Sequence, residues 1–497
     1  MDDEANMKRA TPRCLMAQVM ESSGVHFGTS GARGLVAQMT DEVCIAYTLA
    51  FLRVISLPHG CRVALGIDLR PSSPAIAAAC IAAIHHAGLE VDYCGALPTP
   101  ALAFYAQEQG IPAIMITGSH IPFERNGIKF YRASGEITKA DEADIAMATA
   151  EFPAGLVLSD LPEPKLAARQ GYIDRYLRFF PAKCLDGMRL GFYQHSSVAR
   201  DMLGEILQSL GAEVIVLGRT NEFVPIDTEA VREQDILMAR QWAADDRFDG
   251  LFSTDGDADR PMIGDERGTW LRGDIVGTLC AQYLQASSVV TPVNSTTTLE
   301  KCAAFASVLR TRIGSPYVIE GMAQRLSDGE RNVVGFEANG GFLVGSRIEK
   351  NGRVLAPLMT RDALLPILCL FSMARENECR VSDLPLSLPA RFTASDRLQS
   401  IPTETIRTML QDLVASPAAV DELLRGLCGR PTGLDQTDGL RIFLEHDEIV
   451  HFRASGNAPE LRCYAESASQ ERSGFLVQAC LRRMKDRLVG MLVTEQH

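Results

Sequence analysis

The fold follows from the stretch Ile111-Pro112-Ala113-Ile114-Met115-Ile116-Thr117-Gly118-Ser119-His120-Ile121-Pro122. Its first half is a short apolar run, typical of a buried strand, and the run ends abruptly in a Gly-Ser-His turn. Open α/β sheets place their ligands at loops that leave the carboxyl ends of strands. We therefore expect the Ser119 hydroxyl at a strand end, as a candidate nucleophile. Taken alone, a Ser-His pair is more often a turn with a local hydrogen bond.

Charged groups accompany this serine. His120 and Lys129 can transfer protons or stabilise charge. Asn126-Gly127 is predicted to form a tight turn that returns Lys129 towards the serine, and Gly118 is predicted to let the backbone approach a bulky anion. Upstream, the segment Phe27-Gly28-Thr29-Ser30-Gly31-Ala32-Arg33-Gly34 packs three glycines around one arginine. We expect this segment to bring Arg33 near a ligand.

Strand and helix patterns alternate along the chain, which indicates βαβ units and a parallel or mixed sheet. The predicted helices span residues 41–57, 74–86, 199–210, 298–308 and 361–375, and the predicted strands include 62–68, 90–94, 111–116, 188–193, 213–217, 248–253 and 287–293. The last segment is predicted to be α+β, with strands near 439–444 and 448–452. The predicted fold class is therefore α/β, with three similar mixed α/β domains followed by a C-terminal α+β domain.

The chain of 497 residues is too long for one core. A typical domain has about 100–200 residues, which predicts three to four domains. Proline-containing segments near 160–166 and 381–389 are typical of linkers. The predicted domains are residues 1–165, 166–272, 273–388 and 389–497.

A second motif follows the predicted strand at 248–253, where Asp255-Gly256-Asp257-Ala258-Asp259-Arg260 places carboxylates at alternate positions. Such side chains point to one side of an extended segment, so the three can converge. Clustered carboxylates repel unless they are neutralised, and oxygen-only ligands favour a hard divalent cation such as Mg²⁺. An EF-hand is disfavoured, because Arg260 stands where that loop needs glycine. A solvated acidic turn is the simpler alternative.

Two further loops carry polar groups. Glu337-Ala338-Asn339-Gly340 follows a predicted strand, and a carboxylate with an amide suits the hydroxyl groups of a sugar. The alternative for this loop is an ordinary Asn-Gly turn. Near the end of the chain, arginines bracket a Ser-Gly-Asn turn that could surround a phosphate. Its candidate ligands are Arg453, Ser455, Gly456, Asn457 and Arg462, and the alternative here is a solvated hairpin turn.

Composition limits the classes of partner. The 49 basic residues against 62 acidic ones give a net charge of −13, which does not favour nucleic acid. The 13 cysteines are dispersed without a Cys-x-x-Cys pair, which is typical of reduced thiols in a cytoplasmic protein. Residues 1–5 lack the basic and apolar pattern of a signal peptide, and the apolar runs are shorter than the ~20 residues that a membrane helix needs. We expect a cytoplasmic protein with no membrane partner.

The four loops together resemble the α-D-phosphohexomutase family. The resemblance covers residues of about 27–484 and rests on the order and spacing of the loops that begin at Thr117, Asp255, Glu337 and Arg453. It implies a four-domain, heart-shaped protein in which each domain contributes one loop to a central cleft. It also implies a mutase that interconverts hexose 6-phosphate and hexose 1-phosphate, with mannose favoured and glucose possible.

The resemblance assigns roles to the residues. Ser119 would carry a phosphoryl group and transfer it to the sugar. The resulting hexose 1,6-bisphosphate would reorient in the cleft without leaving it. One Mg²⁺ per chain would bind Ser119, Asp255, Asp257 and Asp259, and a hexose 1,6-bisphosphate would act as activator. Arg33, His120 and Lys129 would stabilise the transferring group or shuttle protons. Arg260, Glu337, Asn339 and the 453–462 loop would bind a small phosphosugar. The protein would be a monomer or a weak homo-oligomer.

Some positions depart from the family pattern. Ile121 replaces the more usual asparagine, Asn457-Ala458 replaces Thr-Glu, and Ser315 stands where histidine is common. Two alternatives therefore stay open, a phosphoglucosamine mutase and a phosphosugar-binding protein with impaired catalysis.

Overall fold

The structure is a computed structural model that describes residues 13–28, 31–153, 155–456 and 459–494. Three mixed sheets and one antiparallel sheet follow one another along these residues, and helices flank each sheet. This arrangement confirms the predicted fold class. We call the four parts the first to fourth units, each defined by its sheet.

The first three units share one strand arrangement. In each, the first strand of a core group lies between the second and third strands and runs parallel to both, and a fourth strand adds antiparallel to the third. The core strands of the three units are Arg62–Ile67, Glu90–Ala96, Ala113–Ile116 and Arg125–Arg132; Arg189–Tyr193, Glu213–Leu217, Gly250–Thr254 and Pro261–Gly264; and Ser288–Pro292, Ser307–Thr311, Val333–Phe336 and Phe342–Val344. The three predicted functional loops of these units all connect the third strand to the fourth.

Additional strands extend the first and third sheets. The first gains His26–Phe27, Ala32–Leu35 and Gly135–Glu136, the third gains Leu358–Asp362, and small two-stranded sheets pair Arg13–Leu15 with Thr149–Glu151 and Ile348–Lys350 with Arg353–Leu355. The helices of the first three units are Met16–Ser23, Asp41–Ile55, Ser73–His86, Thr99–Gln109, Lys139–Met147, Ala167–Phe179, Arg200–Ser209, Glu233–Asp245, Gly273–Tyr283, Thr298–Lys301, Ser315–Ser327 and Leu364–Glu376.

The fourth unit is an antiparallel sheet with helices. Its strands lie in the order Phe392–Gln399, Glu460–Ser467, Ile449–Ala454, Leu440–Leu444 and Pro431–Asp435, and its helices are Thr403–Ala415, Pro417–Leu424 and Gln470–Thr494. Short 3-10 helices span Val36–Gln38, Val381–Ser387 and Glu445–Asp447. The segment predicted as a linker near 381–389 is thus partly helical.

Two local predictions were wrong. Residues 298–308 do not form one helix, because the helix ends at Lys301 and Ala303 adopts a left-handed φ of 50° before the strand Ser307–Thr311 begins. Asn126 and Gly127 do not form a tight turn but lie inside the strand Arg125–Arg132. That strand itself carries Lys129 back towards the serine.

The apolar cores separate the fourth unit from the rest. One cluster runs from the helix Thr99–Gln109 through the second unit into the helix Leu364–Glu376, so it joins three units. The fourth unit has its own cluster, which includes Ile406, Leu440 and Met484. The fourth unit meets the third through polar groups such as Glu466, whose Oε1 accepts a hydrogen bond from Oγ1 of Thr297 at 2.6 Å.

The cysteines and the helices can be compared with the expectations for thiols and for membrane spans. All 13 cysteines are unpaired thiols. Among the residues that the structure describes, none of the helices combines the length and apolar character that crossing a bilayer requires.

Candidate active site

All four units line one cleft of about 390 Å³. The predicted site residues on its wall are Arg33, His120, Arg260, Glu337, Asn339, Arg453, Ser455, Gly456 and Arg462. Ser119, Lys129 and the three aspartates are buried beside His120 and Arg260. The structure therefore brings the described members of the predicted site together. Asn457 lies outside the described residues.

Ser119 is held in a strained position next to a carboxylate. Its φ is 53°, in the left-handed region that non-glycine residues rarely adopt. Its Oγ donates to Oδ2 of Asp255 at 2.5 Å and lies 3.4 Å from Nδ1 of His120. Its backbone N–H donates to Oγ1 of Thr117 at 2.8 Å. The hydroxyl is thus aimed at the acidic cluster.

The loop around Ser119 is shaped by Arg70, which sequence reasoning missed. The buried guanidinium group of Arg70 donates to the carbonyl groups of Ser119, Ile121, Pro122 and Arg125 at 2.6–3.0 Å. A Cβ atom on Gly118 would come within 2.5 Å of Cζ of Arg70. The glycine therefore makes room for this arginine.

The three aspartates converge in a geometry that could hold a metal ion. One carboxylate oxygen from each of Asp255, Asp257 and Asp259 lies within 4.8 Å of the others, and all three residues are buried. Oδ1 of Asp257 and Oδ1 of Asp259 are buried and receive no hydrogen bond from any described residue. Buried carboxylate oxygens without donors are costly, and a hard cation satisfies them. The residues present thus fit a divalent cation that prefers oxygen ligands.

Lys129 neutralises two of these carboxylates from the other side. Its Nζ donates to Oδ2 of Asp257 and Oδ2 of Asp259, both at 2.7 Å. Burial works against the ammonium group, but the two carboxylates outweigh it and raise the pKa of Lys129. Burial and the neighbouring carboxylates raise the pKa of Asp255. The lysine leaves the Oδ1 oxygens of Asp257 and Asp259 available.

Cationic side chains crowd the cleft next to the serine. Arg260 donates from Nη1 to Nδ1 of His120 at 2.7 Å, which requires a neutral imidazole. Burial, followed by the charge of Arg260, lowers the pKa of His120. Burial and the neighbouring cations Arg260 and Arg361 lower the pKa of Arg33 to about 10. A cluster of guanidinium groups this close together is stabilised by an anionic ligand.

The loop Glu337–Gly340, called the sugar loop below, is connected to the loop Asp255–Arg260 through Arg361. No motif indicated Arg361. Arg361 is buried and donates to Oε2 of Glu337 and Oδ2 of Asp259, both at 2.7 Å. Asn339 uses Oδ1 to accept the N–H of Gly341 at 2.9 Å. Glu337 therefore keeps one oxygen on Arg361, and its side chain lines the cleft.

The predicted phosphate loop joins two adjacent strands of the fourth unit. Arg453 and Arg462 lie directly opposite each other in the antiparallel register. Nε of Arg453 lies 3.3 Å from Oδ2 of Asp438, and the same Oδ2 accepts the N–H of Ile313 at 3.0 Å. Asp438 therefore connects the phosphate loop to the third unit.

Ser315 does not take the place of a cleft histidine. It is buried, and its Oγ donates to Oε2 of Glu136 at 3.0 Å. The third unit instead presents Arg312 and Tyr317 to the cleft, with Cζ of Arg312 4.8 Å from the ring centroid of Tyr317. No sequence motif indicated Arg312 as a residue of the cleft.

Comparisons with known proteins agree with this geometry. Residues 24–152, 170–268 and 272–392 match the alpha/beta/alpha domains I, II and III of phosphoglucomutase/phosphomannomutase. The chain is 47% identical over 471 residues to a phosphomannomutase of Salmonella muenchen, covering 95% of this chain and 98% of that one. It is 42% identical over 463 residues to a phosphomannomutase of Sinorhizobium fredii, covering 91% and 97%.

More distant matches extend the comparison. A phosphoglucosamine mutase of Thermodesulfovibrio yellowstonii is 27% identical over 452 residues, covering 85% of this chain and 95% of that one. A phosphoglucomutase/phosphomannomutase family protein from Burkholderia thailandensis has the same fold, with a TM-score of 0.71 at 18% identity over 92% of this chain and 97% of that one.

Ser119 is buried on a carboxylate cluster, and all four units place arginines in the cleft next to it. This arrangement suits phosphoryl transfer, because that reaction depends on positioning and on neutralising charge. The chain belongs to the phosphoglucomutase/phosphomannomutase family, the α-D-phosphohexomutases. It is accordingly a hexose phosphate mutase, an isomerase.

Proposed function

We propose that this mutase interconverts mannose 6-phosphate and mannose 1-phosphate through a phosphoserine at Ser119, and that it also accepts glucose phosphates. The observation that carries the proposal is the 2.5 Å hydrogen bond from Oγ of Ser119 to Oδ2 of Asp255, buried next to a cleft that Glu337 and Arg453 line. The phosphomannomutases at 47% and 42% identity support mannose as the preferred sugar.

Phosphoryl transfer depends mainly on positioning and on neutralising charge. In this proposal the phosphoserine at position 119 transfers its phosphoryl group to a free hydroxyl of the sugar phosphate, and the product is a hexose 1,6-bisphosphate. The bisphosphate then reorients in the cleft, and the phosphoryl group at its other end is transferred back to Ser119. A hexose 1,6-bisphosphate supplied from solution would restore the phosphoserine, and so would act as activator.

We propose Mg²⁺ as the cation at the aspartate cluster. Asp255, Asp257 and Asp259 would hold it together with the oxygen of Ser119, and when bound it would neutralise charge on the transferring group. Lys129 keeps the Oδ2 oxygens of Asp257 and Asp259 in place from behind.

The cationic side chains have separate roles in the proposal. Arg33, Arg260 and the neutral His120, whose Nδ1 lies 3.4 Å from the serine oxygen, stabilise the transferring group. Arg453, Ser455, Gly456, Asn457 and Arg462 hold the distal phosphate, while Glu337 and Asn339 bind hydroxyl groups of the ring. We propose the domains 1–165, 166–272, 273–388 and 389–497, and a cytoplasmic monomer or weak homo-oligomer whose unpaired thiols suit a reducing compartment.

The test measures the phosphoserine and the turnover together. Purified protein is incubated with Mg²⁺ with and without glucose 1,6-bisphosphate, and intact mass and peptide mapping locate an added phosphoryl group. The same samples are assayed with the 1-phosphates of mannose, glucose and glucosamine. We expect phosphate on Ser119 and the fastest turnover with mannose 1-phosphate.

Matched variants complete the test. Ser119→Ala should abolish both the added phosphate and turnover, whereas Ser327→Ala, at an exposed position outside the cleft, should change neither. Preference for glucosamine 1-phosphate would make the protein a phosphoglucosamine mutase. Binding of hexose phosphate with no phosphoserine and no conversion would indicate a catalytically impaired binding protein.

A further inference from the structure

In the second unit, residues 221–232 have no regular secondary structure and lie in the chain between the strand Glu213–Leu217 and the helix Glu233–Asp245. Asp227 and Glu229 of this segment line the cleft. No motif indicated this segment. Its path is fixed at two points: the N–H of Val224 donates to Oγ of Ser196 at 2.8 Å, and Oγ1 of Thr228 donates to the carbonyl of Asn339 in the sugar loop at 2.9 Å. The segment therefore lies against the loop Glu337–Gly340, which we propose binds the hydroxyl groups of the sugar.

A local turn orients Glu229 within this segment. Oδ1 of Asp227 accepts the N–H groups of Glu229 at 3.0 Å and Ala230 at 3.2 Å, which holds the backbone in a tight turn. Nδ2 of Asn294, from the third unit, donates to Oε1 of Glu229 at 3.3 Å. The carboxylate is thus held from two units, and its side chain lines the cleft.

Glu229 is exposed to the cleft but has no cation bound directly to it. Among the described residues, the carboxylate of Glu229 has one hydrogen-bond partner, Asn294, and forms no ion pair within 4 Å with Arg260 or Arg462, although both lie close enough to act on it electrostatically. Partial desolvation by the walls of the cleft, followed by Asp227, raises the pKa of Glu229, and these two arginines oppose the rise. Oε2 therefore remains available to a ligand.

A carboxylate at this place opposes phosphate binding, because it repels the dianion that the arginines attract. It is suited to a different part of a phosphosugar, since a carboxylate accepts strong hydrogen bonds from hydroxyl groups. We propose that Glu229 accepts a hydrogen bond from a ring hydroxyl of the hexose and forms, with Glu337 in the same cleft, a second hydroxyl-binding subsite. This inference rests on the proposed function, because it requires a hexose phosphate in this cleft.

The experiment measures binding, so that it does not depend on turnover. Calorimetry gives the Kd of mannose 1-phosphate and of its 2-deoxy, 3-deoxy and 4-deoxy analogues for wild type, Glu229→Gln and Glu229→Ala. Glu222→Gln is the matched control, because it removes an exposed carboxylate of the same segment that does not line the cleft. Thermal unfolding of each variant checks that it is folded.

We expect the Glu229 variants to bind mannose 1-phosphate about tenfold more weakly than wild type, the scale of a hydrogen bond to a charged group. One deoxy analogue should bind wild type about tenfold more weakly too, with no further loss in the Glu229 variants, because its missing hydroxyl is the partner. Glu222→Gln should match wild type.

Two results would overturn the inference: an equal loss for all four ligands, which indicates a general electrostatic role, or unchanged Kd values in the Glu229 variants. A parallel mutase assay separates this result from the proposed function. Binding with the expected pattern but without turnover would refute only the proposed function, whereas wild type that binds no hexose phosphate would refute both.

Discussion

Nη2 of Arg70 donates to the backbone carbonyl of Ser119 at 3.0 Å, so an arginine from the end of one strand fixes the serine at the end of another. The same guanidinium group serves three more carbonyls of the loop and pairs with Asp68 at 3.2 Å. The position of the proposed nucleophile therefore depends on a buried cation 49 positions away.

Arg70→Met should unfold the serine loop and remove mutase activity. The change removes the guanidinium donor of four carbonyls and of Oδ2 of Asp68, and breaking a buried pair of this kind costs about 3–5 kcal/mol. The free energy of unfolding from urea denaturation measures this loss. Arg347→Met, which breaks an exposed pair with Glu349, should cost less than about 1 kcal/mol. Wild-type activity in Arg70→Met would contradict the assigned role.

Gly118→Ala should reduce turnover by displacing Arg70. A Cβ at this position would lie 2.5 Å from Cζ of Arg70, and a buried side chain with four backbone acceptors has little freedom to move. We expect a loss of stability of about 1–3 kcal/mol, as for other overpacked sites, and a fall in kcat. Gly204→Ala is the control, because a Cβ in that helix meets nothing within 4 Å and should be neutral or stabilising. Equal behaviour of the two variants would refute the steric explanation.

Removal of divalent cations should stop turnover, and Mg²⁺ should stabilise the fold. Binding at a concentration of 100 times Kd contributes about 2.7 kcal/mol, which thermal unfolding with and without Mg²⁺ can detect. Asp257→Asn should lose this stabilisation, because it removes the charge beside the orphaned Oδ1 oxygen. Asp412→Asn, at an exposed helical position, should respond to Mg²⁺ like wild type. An undiminished response of Asp257→Asn would place the cation elsewhere.

Stability should fall in mild acid because of His451. Its buried ring stacks on Tyr464, and Nε2 donates to the carbonyl of Asp438 at 2.5 Å. Burial lowers the pKa of His451 to about 4 from an ordinary value of 6.5. The unfolded chain therefore binds the proton first, so the contribution of the neutral ring is complete above pH 6.5 and is lost as the pH falls towards 4.

The full loss, reached below pH 4, amounts to about 3 kcal/mol for a shift of this size, and about 2 kcal/mol of it is expected at pH 5. Urea denaturation of wild type and His451→Gln at pH 8 and pH 5 measures it. The difference in the free energy of unfolding between the two proteins at pH 8 reports packing alone. It should be smaller at pH 5, because only wild type loses stability through protonation of His451. A difference that is the same at both pH values would contradict the assignment.

Much of the fold was accessible from the sequence because its signals are local. The apolar run before Thr117 and the alternation of strand and helix patterns led to the correct fold class and to most element positions. The helix predicted at 298–308 was wrong because alanine-rich propensity extended past Lys301, while pairing with the strand Ser288–Pro292 drew residues 307–311 into the sheet. Tertiary pairing overrode local preference there.

The chemistry of the loops could be predicted, but their supporting residues could not. The aspartates and the serine form recognisable patterns in short segments, and their chemistry points to phosphoryl transfer. Arg70, Arg361 and Glu229 belong to no such pattern, because an isolated arginine or glutamate has the same local sequence whether it is solvated or buried. Their roles appear only through partners that lie far away in the chain.

The sequence by itself determined the elements, the fold class and the reactive groups, because periodicity and turn chemistry are properties of neighbouring residues. The tertiary structure decided which groups meet. Ser119 and Asp255 are 136 positions apart, and they come into contact because each loop leaves the third strand of a unit with the same strand order, and the packed units turn those loops into one cleft. Such contacts depend on how whole sheets pack together, which no local stretch of sequence encodes.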